Sequence, residues 1–266
     1  MAALILMITG PIENMGSSDS VGSGDTTALL RLLAWMSPAY PIGAYTYSQG
    51  LEHAVEVGQV TSMVTAQDWI SDIIGHGTGQ ADASILAAAY RATIAEDRAE
   101  LKRVTEFAAA FAPTSELHLE STAQGAAFLK ITRDVWPCEA LDWLVSGLEA
   151  PALSQAPALP QALALPAALA LPVVIGVATA GHKIALVPAC LAATHAFVAN
   201  LVSAAVRLVP LGQTDGQRLI AALEPLVLQV ASSAINTALD DIATSTVMVD
   251  ISSMKHETQY TRLFRS

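Results

Sequence analysis

The chain has 266 residues, 53% of them hydrophobic and only 14% charged, with a formal net charge of −11. So large an apolar fraction excludes wholesale disorder, which needs low hydrophobicity and high charge. Residues 1–150 hold eighteen Asp and Glu against seven Lys and Arg, and no basic stripe supplies the footprint that a phosphate backbone requires, which excludes nucleic acid as a partner.

At the start, Ala2 to Ile8 is apolar but follows no Lys or Arg, which makes a poor signal peptide. Residues 1–25 read as a flexible leader, rich in Ser, Gly and Asp after Glu13. Asp25 caps a first helix with Leu29, Leu32, Leu33 and Met36 on one face, and Ser37-Pro38 ends it. A second helix is expected from about Tyr47 to Val57, stopped by Gly58, and Thr65 to Asp68 resembles a capping box for a third. Gln80 to Phe111 is rich in good helix formers and stops before Pro113; further helices fit Ser115–Val135 and Cys138–Leu148.

From Glu149 to Lys183 no charge interrupts the chain, yet Pro151, Pro157, Pro160, Pro166 and Pro172 bar an unbroken spanning helix. Residues 151–172 therefore read as a Pro/Ala-rich connection. Pro188 opens an apolar helix through Leu208, long enough for a membrane span; without a flanking basic cluster or Trp/Tyr belt it reads instead as the central helix of a domain, with no membrane partner. After the Pro210–Gly216 turn come helices around Gln217–Leu223 and Pro225–Thr244, and Thr246–Ser252 is the one possible strand, too isolated for a sheet. The expected fold is all-α: one helical-bundle-like domain of about eight to ten helices over 26–245, with a tail at 246–266. Cys138 and Cys190 lack any C-x-x-C neighbour and read as reduced, buried thiols of a cytoplasmic protein.

No Gly-rich phosphate loop and no H-x-x-x-H pattern is present, so no cofactor is expected. Glu52, His53 and Glu56 are the best metal candidates, two carboxylates one turn apart beside an imidazole, and an ordinary acidic helix face explains them as well. Asp72 and His76, four residues apart, read as a helical ion pair. Two segments stand out. Residues 37–52 pack two prolines, two glycines and three tyrosines into a turn that is either a recognition surface or a tight helix corner. The end, Met254 to Ser266, interleaves Tyr260, Leu263 and Phe264 with Arg262 and Arg265, and either orders on a partner or docks back on its own domain.

These same segments, S-P-A-Y-P-I-G-A-Y-T-Y-S-Q-G-L-E at 37–52 and M-K-H-E-T-Q-Y-T-R-L-F-R-S at 254–266, together with A-V-R-L-V-P-L-G-Q-T-D-G-Q at 205–217, resemble the urease accessory protein UreF family. The resemblance implies a dimeric all-α protein without a reaction of its own. Such a protein binds UreD and recruits the GTPase UreG to the urease apoprotein for nickel insertion. It places partner contacts at Tyr40, Tyr45, Tyr47, Ser48 and Gln49 and at Tyr260, Arg262, Leu263, Phe264 and Arg265. Two other roles stay open: a regulator of UreG through an arginine such as Arg91, Arg207, Arg262 or Arg265, and a nickel conduit using Glu52, His53 and Glu56.

Overall fold

The computed structural model describes residues 23–146 and 169–265. Residues 1–22 of the expected leader and 151–168 of the Pro/Ala-rich connection lie outside the described residues.

The elements follow in order α1 (Ser23–Trp35), a 3-10 turn (Ala44–Thr46), α2 (Leu51–Glu56), α3 (Met63–His76), α4 (Thr78–Ile94), α5 (Arg98–Phe111), α6 (Ser115–Val135) and α7 (Glu139–Ser146). The chain continues with α8 (Leu171–Gly181), α9 (Leu186–Leu208), α10 (Gln213–Ala234), a 3-10 turn (Leu239–Asp241) and α11 (Val247–His256). No strand occurs among the described residues, as the helical periodicity predicts.

Helix α8 packs along α4, and the closeness has a chemical basis: a Cβ on Gly176 would sit 2.5 Å from the Leu86 carbonyl oxygen. Around this pair Trp35, Phe128, Leu129, Leu141, Val173 and Val177 make one core, with Trp35 edge-on to Phe128 at 6.0 Å. A second core joins α3, α9 and α10 through Ile70, Ile74, Leu201, Leu219 and Leu223. Helix α9 is long and apolar enough to cross a membrane. Here it packs against α10 and α4 and buries Ala189, Cys190, Val198, Leu201 and Val202, the central position expected from its sequence.

Several boundaries differ from expectation, each for a local reason. Helix α2 begins at Leu51, because Gln49 (φ 56°) and Gly50 (φ 75°) turn the chain through the left-handed region first. The cap of α3 is Ser62, whose hydroxyl accepts from the Thr65 N–H, three residues before the expected box. The stretch 80–111 splits at Glu96 (φ 53°), and Asp97 caps α5 by accepting from the Glu100 N–H at 2.9 Å. Helix α8 occupies residues left without an element, with Pro172 in its first turn, where a missing N–H costs nothing. Helix α10 runs through Pro225 unbroken, since Leu219 and Leu223 before it and Val227 and Val230 after it belong to one buried stripe. The possible strand is the start of α11, whose Val249, Ser252, Ser253 and His256 recur at helical spacing and face inward. The expected pair of Asp72 and His76 does not form an ion pair.

Candidate functional site

The two segments singled out in the sequence meet. Helix α11 packs on α2, and the chain beyond it folds back over the 43–52 turn. The backbone N–H groups of Leu263 and Phe264 donate to the Glu52 carboxylate at 2.6 and 2.9 Å, and the Arg265 N–H donates to the Thr46 carbonyl at 2.7 Å.

His256 lies at the centre of this clasp, with no exposed surface. Its Nε2 is 3.0 Å from Glu52 Oε2 and its Nδ1 2.9 Å from Glu116 Oε2. An imidazole with both nitrogens protonated supplies one donor to each carboxylate. Arg262 adds a donor to Glu116 Oε1 at 3.2 Å. Two buried carboxylates thus face a ring, a guanidinium and two backbone amides, the pairing that buried charge requires.

Apolar contacts complete it. Phe264 is buried, and the Arg207 guanidinium lies 4.3 Å above its ring while donating to the Tyr45 carbonyl at 2.9 Å. The Arg265 side chain lies beside the Tyr47 hydroxyl, whose pKa burial raises, with the Glu120 charge adding to the effect. Gly50 is needed at the crossing, because a Cβ there would come within 2.8 Å of the Ser253 nitrogen.

The expected contact residues divide into two sets. Tyr40, Tyr47, Ser48, Gln49 and Phe264 are buried in the domain. Tyr40 bonds Thr132 at 2.8 Å, and Gln49 donates to Glu120 at 2.7 Å and accepts from Thr78 at 2.8 Å. In this structure these side chains shape the corner and do not offer free surface. Tyr45, Tyr260, Arg262, Leu263 and Arg265 face outward, Tyr260 completely, Tyr45 by 63% and Leu263 by 65%. On α11, Val247, Met248, Ile251 and Met254 extend the outward apolar surface.

The metal candidates are not gathered either: Glu52 is committed to the clasp, His53 is half-buried and Glu56 exposed. Among the described residues no group of His, Cys, Asp and Glu side chains is arranged to hold a metal ion, and where Glu52, Glu116 and His256 meet they are hydrogen-bonded to one another. The arginines considered for UreG regulation have partners within the chain: Arg91 the Ile235 and Thr237 carbonyls, Arg207 Tyr45 and Phe264, Arg262 Glu116, and Arg265 Tyr47. Sequence reasoning missed His256 and Glu116. The signal available for Glu52 was its position beside Leu51 and Val55, on the inward arc of a short helix.

What the fold and clasp define is an all-helical protein that folds its C-terminal segment back onto its own body and displays aromatic and aliphatic side chains there. The UreF family model matches residues 60–224. A urease accessory protein UreF of Bradyrhizobium diazoefficiens is 42% identical over 262 residues, covering 98% of this chain and all of the relative. Urease accessory proteins UreF of two Rhodopseudomonas palustris strains, BisB5 and HaA2, are 43% identical over 260 residues and 46% identical over 239; the first covers 98% of this chain and 100% of the relative, the second 90% and 94%. The chain belongs to the UreF family of urease accessory proteins.

Proposed function

We propose that this chain is a non-catalytic cytoplasmic adaptor in urease maturation, a homodimer that binds UreD and recruits UreG to the urease apoprotein for nickel insertion. The observation that carries the reading is the clasp: it fixes the C-terminal segment by hydrogen bonds on its inner side and leaves Tyr260, Leu263 and the outer face of α11 for a partner. Exposed aromatic and aliphatic residues held on a rigid support are what a protein interface uses as anchors. Tyr45 lies on the same assembly through the Arg207 contact, so one surface draws on both segments.

The test is co-purification of the full chain with UreD and UreG, followed by nickel-dependent urease activation, beside a deletion of residues 255–266. The deletion is expected to abolish UreD capture and activation while the helical circular dichroism persists. Unchanged capture by the deleted chain refutes the adaptor role of the tail. Because the deletion also removes His256, the double variant Tyr260→Ala/Leu263→Ala, which spares the clasp, serves as the second arm.

A further inference from the structure

Away from the clasp, α1, the 37–45 turn, α4, α6, α8 and α9 enclose a cavity of about 330 Å³. Its walls are mostly apolar and aromatic, Trp35, Tyr40, Phe128 and Phe197 among them, and the exposed residues Tyr45 and His195 stand on its rim.

Three polar groups of this wall lack a partner among the described residues. Trp35 Nε1 and Thr194 Oγ1 are buried without a hydrogen bond. Asp82 makes neither hydrogen bond nor ion pair, although its carboxyl group lies in an environment that strongly penalises its charge. A buried polar group left unpaired is costly, so two of them beside a half-buried carboxyl group without a partner, all around one cavity, are not a packing solution. Neighbouring polar groups are satisfied: Tyr40 by Thr132, and Glu120 by Gln49 and Gln124.

The chemistry of the three groups points to one class of ligand. A carboxyl group facing an apolar cavity without a donor is complemented by a cation, and aromatic walls favour the same charge. Apolar walls accept an aliphatic stem, as they do the stems of Lys and Arg. Thr194 Oγ1 accepts a second N–H, whereas the Trp35 N–H donates and calls for an oxygen. We propose that this cavity binds an aliphatic cation, an ammonium or guanidinium on an apolar stem, with Asp82 as its counter-ion. A Lys or Arg side chain on a peptide carries cation, stem and carbonyl oxygen together; a free amine carries the first two.

The test uses the full chain at pH 8 with n-butylammonium chloride, with n-butanol as the neutral control, and with the blocked peptide acetyl-Leu-Lys-Leu-amide. The readouts are the NMR shift of the Trp35 indole N–H and the thermal unfolding midpoint. Butylammonium is expected to shift the indole signal saturably and raise the midpoint, butanol to do neither at the same concentrations, and Asp82→Asn to weaken binding at least tenfold. Thr194→Val, which keeps the side-chain volume, is expected to weaken it by a smaller factor. Tighter binding of the peptide than of butylammonium assigns the cation to a protein side chain; the reverse assigns it to a free amine. Equal response to butanol and butylammonium, or unchanged binding by Asp82→Asn, overturns the proposal.

Discussion

Replacing Glu52 by Gln tests whether the clasp holds the C-terminal segment. The carboxylate accepts from His256, the Leu263 N–H and the Phe264 N–H, and all three donors approach at 3.0 Å or less. A Gln of the same shape keeps one oxygen and turns an N–H₂ towards donors, so at least one donor loses its acceptor and the charge opposite His256 disappears. Breaking one side of a buried charge pair costs about 3–5 kcal/mol. The cost falls on the segment beyond α11, which reaches the edge of the second core through Phe264 but does not touch the first, so it is read as local opening. At 1.4 kcal/mol per tenfold, protection of the Leu263 and Phe264 amides from hydrogen exchange drops by about a hundredfold or more. Amides of α4 and α8 keep theirs. The assay is hydrogen exchange followed by mass spectrometry on C-terminal peptides, with Glu56→Gln on the exposed face of the same helix as control. If protection at 263–264 is the same in Glu52→Gln as in the wild type, the hydrogen bonds to Glu52 do not hold the tail.

Asp82 should report its cavity through pH. Burial pushes its pKa up to about 7 from 3.8, so the folded protein binds the proton more tightly than the unfolded chain, and stability falls as pH rises from about 4 through 7. Asp82→Asn, which imitates the neutral acid, should flatten that segment of the urea-midpoint profile and stabilise by up to about 4 kcal/mol at neutral pH; a profile identical to wild type contradicts the shift. Gly50→Ala should destabilise by about 1–3 kcal/mol, from its positive φ and the approach to Ser253, and should loosen α11 before either core in hydrogen exchange. Burial pushes the Cys190 thiol up to about 12, so iodoacetamide at pH 8 should leave it unmodified in the native protein and alkylate it in urea.

The sequence discloses the helices best where one stripe is apolar and the ends carry caps. Ser115 to Val135 is recovered to the residue because Thr114 caps it and Pro137 follows it. It misleads where propensity competes with a cap: the good helix formers around Ala95 hide a break that Asp97-x-x-Glu100 signals. Proline misleads in the opposite direction, for Pro225 breaks an isolated helix but not one whose two halves are buried along a single stripe. The Val-rich start of α11 has β propensity, yet among the described residues no strand lies beside it to pair with, and burial of Val249 and His256 against α2 decides. The clasp was illegible as a unit because its members lie far apart, Glu52 being 204 residues from His256. Each segment was conspicuous; that they bind each other is a fact of topology.

The clasp and the cavity are opposite electrostatic cases, and that difference decides what each offers a partner. In the clasp Glu52 and Glu116 are paired from within, so those two carboxylates have no charge to offer a partner, and that face offers instead the apolar area of Tyr260, Leu263 and the α11 side chains. In the cavity Asp82 remains without a donor from the described chain, and its desolvation is a standing cost that a bound cation would relieve. An amide or an alkyl group at that position would remove the cost, whereas a carboxyl group offers a charge that a complement arriving from outside can use. The two sites therefore differ in salt response: the buried pairs inside the clasp should be nearly insensitive to ionic strength, whereas occupancy of the cavity by a cation should weaken as salt is added.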